Sequence, residues 1–237
     1  MFLKGIVSLP ALAVMLTGLT AVFSMAAEQT PVDPNTRTAM LQKYREQCTD
    51  PNVDLRLANI EAAIQSGDAT RKHICVKLAL ESKENTTRNL GLRGAIASIG
   101  KISFVPRIPK DIEEAWSKKG KEKEEALRAL GSDHDAYVAF FTSIYGGLVF
   151  QIEDATIMDN NSLWYSMIDN KEKEKNSGMA SISGSSITWN GKITYPYSTF
   201  TKTAICSLTA QMTNDGTLAG KLSCGPCGFY EVTSTIY

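Results

Sequence analysis

The chain has 237 residues, 43% of them hydrophobic and 21% charged, with 25 basic side chains balanced by 25 acidic ones. This is the composition of a folded chain, and it excludes the disordered and collagen-like classes. A formal charge of zero, with no local basic patch, removes the attraction to phosphate on which binding to nucleic acid and anionic membranes depends.

The first segment carries one charge, Lys4, then an apolar run from Ile6 to Phe23, then Ala26 and Ala27 before Glu28 and Gln29. That layout is the one of a secretory signal peptide over residues 1–27, cut after Ala26 or Ala27. The alternative is a retained anchor, since the run is about long enough to cross a bilayer. Pro10, Thr17, Gly18 and Thr20 interrupt it, which favours cleavage. No later stretch approaches about 18 uninterrupted apolar residues. The expected destination is therefore periplasmic or secreted, with membrane contact only through an uncleaved signal segment.

From Thr36 to Asp169 the sequence reads as successive helices, an all-helical domain over residues 34–170. Asp33 and Pro34 suit an N-cap and first-turn proline ahead of Met40, Leu41 and Tyr44. Leu57, Ile60 and Ile64 make a helical stripe stopped by Gly67. Asp68 suits the cap of a third helix carrying Ile74 and Leu78, and Leu92, Ile96 and Ile99 line a fourth, ended by Gly100. Residues 50–64 and 82–96 align at a spacing of 32, matching Arg56 with Arg88 and Ile60 with Leu92. The match looks a little like paired-helix repeats of the HEAT or armadillo kind, and a plain bundle is the alternative.

Beyond Pro106 and Pro109, a further helix is expected from Ile112, Ala115 and Trp116, running into the mixed-sign stretch Lys118 to Glu125, a solvated face. After Gly131, Ser132 or Asp133 caps the apolar segment Tyr137–Phe150, read as the central helix of this domain and open to a kink at Gly146 and Gly147.

The composition changes after Asn170. The last 61 residues carry five charged side chains and nineteen Ser or Thr, a strand-forming composition. The fold class expected is α+β: the helical domain, a linker over residues 171–177 and a small antiparallel β-sheet domain over residues 178–237. Asn190 and Gly191 carry the strongest short-range signal for a hairpin turn. In the second hairpin, Asn214, Asp215 and Gly216 suit a three-residue loop with Gly216 as the left-handed residue. Counting outward pairs Met212 with Leu218, Ala210 with Gly220, Leu208 with Leu222 and Cys206 with Cys224. Gln211, Thr209 and Ser207 then share the polar face.

Five cysteines in an exported chain favour disulfides with one thiol left over. The register makes Cys206 and Cys224 direct neighbours, close enough to bridge. Cys48 and Cys75, both in the helical half, are the other natural couple, and Cys227 is the odd thiol. The tetrapeptide Cys224, Gly225, Pro226, Cys227 resembles the active-site motif of the thioredoxin family. That resemblance implies a reactive Cys224 at a helix N-terminus, paired with Cys227. Only ten residues follow Cys227, too few to complete such a fold.

Asp133, His134 and Asp135, with Glu153, Asp154 and Asp159, offer oxygen and nitrogen donors for a divalent cation. The plainer reading is a capped helix start with His134 in solvent, and His73 is a helix-surface residue. There is no G-x-S-x-G elbow, H-E-x-x-H pair, phosphate loop or dinucleotide fingerprint. Asn85-Thr86-Thr87 and Asn160-Asn161-Ser162 fit the glycosylation sequon, relevant only in a eukaryotic secretory route.

These features favour an exported, non-enzymatic protein with no cofactor that binds other envelope or secreted proteins or builds the envelope. A thiol-disulfide redox factor using Cys224 and Cys227 is the alternative, and a metal-assisted hydrolase around His134 comes third.

Overall fold

A computed structural model describes residues 33–130, 134–168, 173–213 and 215–236. Four helices come first: α1 (Pro34–Cys48), α2 (Val53–Gln65), α3 (Ala69–Leu80) and α4 (Asn85–Ser98). The starts of α1, α2 and α3 are set by side-chain caps that satisfy otherwise orphaned N–H groups. Asp33 accepts from the Thr36 N–H, Asn52 from Asp54 and Leu55, and Asp68 from Thr70 and Arg71. α4 lies close against its neighbours because Gly94 and Gly91 face them. A Cβ on Gly91 would sit 2.7 Å from that of Ala79, and one on Gly94 would sit 2.5 Å from Ile64 Cδ1. The Cys48–Cys75 disulfide ties α1 to α3 across a Cα–Cα distance of 5.3 Å.

The rest of the chain builds a closed barrel of eight antiparallel strands. They are β1 (Lys101–Pro106), β2 (Leu148–Glu153), β3 (Asn161–Ser166), β4 (Ser177–Ser183), β5 (Ser186–Tyr197), β6 (Phe200–Met212), β7 (Thr217–Ser223) and β8 (Phe229–Thr235). Each pairs with the next, and β8 returns to β1 through Val105 opposite Thr233 and Pro106 opposite Val232. Closure leaves no unpaired edge. Between β1 and β2 the chain makes α5 (Lys110–Ser117), α6 (Gly120–Arg128) and α7 (His134–Ile144).

This corrects the expected fold class. The sheet is a closed barrel, not a small open one, and β1, β2 and β3 come from the 34–170 stretch expected to be all-helical. In β1, Ile102, Phe104 and Pro106 are buried while Lys101, Ser103 and Val105 are exposed, a period of two over only six residues. The apolar segment read as one central helix divides: α7 stops at Ile144, Gly147 takes φ 117°, and β2 starts at Leu148. A short apolar run fits a buried strand as well as a buried helix. The stretch 171–177 expected as a linker includes the 3-10 turn Lys173–Asn176, which joins β3 to β4, paired neighbours of the same barrel.

The hairpin expected at Asn190 and Gly191 is also corrected. Both residues lie inside β5, and β4 turns into β5 at Gly184, φ 58°, and Ser185. Gly191 pairs with Gly178 of β4, and Cβ atoms built on either would meet the Trp189 ring, at 2.5 and 2.6 Å. The glycines are there for close approach, letting the buried indole lie along the inner wall. The β6–β7 register does run Met212–Leu218, Ala210–Gly220 and Leu208–Leu222, with Gly216 at φ 82°.

The barrel interior is filled. Phe104, Phe150, Trp164 and Trp189 are fully buried inside it, and the Trp164 indole donates to Ser162 Oγ at 2.8 Å. One mouth, where α3 and α4 meet the hairpin turns, joins its core through Val76, Leu92 and Ile96. There Asn89 Nδ2 donates to Gly184 O at 3.5 Å, and Ile157 of the β2–β3 loop is buried among Cys48, Ile60, Cys75 and Leu90. At the other mouth α7 lays Phe140 edge-on to Tyr195 and stacked on Tyr230, at 5.1 and 5.8 Å.

Candidate functional site

Cys206 and Cys224 form a disulfide, with Cα atoms 4.1 Å apart. Cys227 takes part in neither bridge; it is buried, and its Sγ donates to Tyr195 Oη at 3.3 Å. Desolvation, then the Cys227 hydrogen bond, raises the Tyr195 pKa well above the ordinary phenol value. Tyr230 Oη donates to the Cys227 carbonyl, and burial raises its pKa too. The resemblance to the thioredoxin motif does not extend to its setting. Cys224 precedes only a three-residue 3-10 turn, Gly225–Cys227, and a turn that short supplies no helix dipole to stabilise a thiolate.

Of the suggested metal ligands, Asp133 and the His134 side chain lie outside the described residues. Asp135 is exposed on α7, beside Glu124 and Arg128 of α6. Glu153, Asp154 and Asp159 stand at or beyond the far end of β2. Among the described residues, no three His, Cys, Asp or Glu side chains are grouped to hold a metal. His73 is exposed on α3 and, with Lys77 and Glu81, lines a cleft of about 450 Å³ against the β6–β7 turn. Both sequon asparagines, Asn85 and Asn160, are exposed.

With the interior filled, the surface the barrel itself offers to a partner is its outer wall. The strand registers place Met179 opposite Asn190, Asn190 opposite Ser207, Ser207 opposite Ser223 and Ser223 opposite Phe229. These five outward residues form one row across β4 to β8, roughly 19 Å along the curved wall at about 4.8 Å per strand. Its ends are apolar: Met179 is 54% exposed and Phe229 75%. Its middle is small and neutral, and it runs beside a groove of about 390 Å³ lined by Asn190, Lys192, Ile205, Ser207, Ser223 and Gly225. Ile205, 78% exposed, stands on the groove's rim.

The electrostatics are mild. Among the described residues, Lys192 is the one charge lining the groove. Lys221 faces Glu231 across β7 and β8, and Glu231 also pairs with Arg107 at 3.1 Å. Met179 and Phe229 are of residue types enriched at protein interfaces, and charged residues are depleted at interface cores. The row has no linear signature, because it needs the register of five strands. One local signal exists: continuing the outward face of β6 from Gln211, Thr209 and Ser207 reaches Ile205, an apolar residue on a hydroxyl-rich face.

Compared with protein-family models, with curated proteins and with solved structures, the chain finds no match.

Proposed function

We propose that the protein is an exported component of a cell envelope, periplasmic or secreted, that acts by protein contact through the β4–β8 wall. The carrying observation is the contrast between inside and outside. The barrel interior is occupied by its own aromatic side chains, while Ile205, Phe229 and Met179 project from outward positions. Large apolar side chains that gather on one face of a protein mark a contact surface. Two disulfides accord with an oxidising compartment. Among the described residues no helix is long and apolar enough to cross a membrane.

The test is affinity capture from the native envelope with the wild-type chain and with Ile205→Asp and Phe229→Asp variants. Both positions are exposed, so the variants retain the fold. The proposal expects a protein captured by the wild type and lost with either variant. Equal capture by all three would remove the wall from the account, and capture of nothing would remove protein contact.

A further inference from the structure

A second surface differs in chemistry from the wall. Where α4 meets the β4–β5 turn and the end of the β2–β3 loop, a cleft of about 480 Å³ is lined by Asn85, Thr86, Asn89, Asn160, Ser181 and Ser183, with Ile182 and Gly184. None of these residues is charged. The walls are held by two hydrogen bonds: Asn89 Nδ2 donates to Gly184 O, which occupies that amide, and the Ile182 N–H donates to Asn160 O at 2.8 Å, which leaves the Asn160 amide unused. Among the described residues, the side-chain amides of Asn85 and Asn160 and the hydroxyls of Thr86, Ser181 and Ser183 make no hydrogen bond within the protein. The neighbouring carboxylate, Glu84, is engaged elsewhere, by Arg56 and Thr87 Oγ1.

We infer that this cleft binds an uncharged polyhydroxyl ligand, a short segment of a neutral saccharide chain. Amides and hydroxyls each offer a donor and an acceptor, the same dual capacity as a sugar hydroxyl. An ion would find no opposite charge to offset its lost hydration. The volume falls within the range of about 300–1,000 Å³ usual for small-ligand sites. Three separate elements supply the groups, so they are spread over a surface as a chain of sugar rings requires. The inference is independent of the protein-contact reading.

Titration of the unglycosylated chain with maltohexaose, cellohexaose and chitohexaose, followed by saturation-transfer NMR and calorimetry, tests it, with a galacturonate oligomer as the charged control. Asn160→Asp and Ser183→Asp introduce a carboxylate at exposed positions whose side chains have no protein partner, and melting curves check that both variants are folded. At least one neutral oligosaccharide should bind the wild type, at least tenfold more weakly to Asn160→Asp and to Ser183→Asp, and with unchanged affinity to Phe229→Asp. No binding by any neutral oligosaccharide, binding that both cleft variants retain, or preference for the galacturonate oligomer would each overturn it. Loss on Phe229→Asp alone would move saccharide binding to the wall and overturn the assignment of this cleft.

Discussion

Replacing Gly191 by alanine tests the barrel at a close approach of β4 and β5. A Cβ there would lie 2.5 Å from Gly178 Cα, 2.5 Å from Trp189 Cζ2 and 2.6 Å from the Ser177 carbonyl oxygen. Two of those three atoms are backbone of the paired strand and cannot swing aside as a flexible side chain would. Overpacking of this kind typically costs about 1–3 kcal/mol, and backbone contact puts Gly191→Ala near the top, at about 3 kcal/mol. For a domain of this size, each kcal/mol lowers Tm by about 2–4 °C, so a fall of roughly 6–12 °C is expected. Gly184→Ala is the control: its φ is 58° and no atom lies within 4 Å of the added Cβ, so only the left-handed backbone penalty of about 1–2 kcal/mol applies. Guanidinium titrations followed by tryptophan fluorescence give both values. A Gly191→Ala cost below that of Gly184→Ala would refute the close approach and the placement of Asn190 and Gly191 within a strand.

Removing the Cys206–Cys224 bridge by double alanine substitution should cost about 3 kcal/mol, the chain-entropy value for a separation of 18 residues; peptide mapping that joined Cys224 to Cys227 instead would contradict the β6–β7 register. Ile157→Ala should cost about 2–4 kcal/mol and raise hydrogen exchange in α2 and α3 as well as in the β2–β3 loop, because Ile157 is buried among helical residues. Asp68, Glu84 and Asp215 have pKa values lowered by hydrogen bonds to their carboxylates. Their stabilisation is therefore complete above the unfolded carboxylate value of about 4 and lost as pH falls through the lower folded values, which an acid unfolding curve reads. Tyr137, Tyr195 and Tyr230 have raised pKa values, chiefly from desolvation. Stability should hold below the unfolded phenol value of about 10 and fall as pH rises above it, so in a titration at 295 nm these three phenols should ionise only as near-ultraviolet dichroism is lost.

Short-range chemistry was legible wherever it acted alone. Asp33 and Asp68 cap their helices through side chains two or three residues from their targets. The β6–β7 register follows from the loop ending at Gly216 and the alternation of its flanks. Tertiary contact decided the rest. Asn190 and Gly191 carry a turn signal that the Trp189 ring and Gly178 override, because a glycine demanded by close approach looks the same in sequence as one demanded by positive φ. Lys101 to Pro106 alternates like a strand, but its partner β8 lies more than a hundred residues away in sequence, so nothing local declares that the sheet closes. The apolar run through Phe141 and Phe150 is buried on both sides of the break at Gly147, and continuous burial hides the change of period. The candidate wall was illegible for the same reason: Met179, Ser207 and Phe229 become neighbours only once five strands are in register.

The most direct test of the central claim, contact through the β4–β8 wall, is site-specific photo-crosslinking in the native envelope. A benzophenone side chain would stand at Ser207, in the middle of the row on β6, or at Gln151, on β2 four strands away. The account predicts a discrete protein adduct from position 207 that Phe229→Asp abolishes, and none from position 151. An adduct from 151 alone, or no adduct from 207, would contradict it.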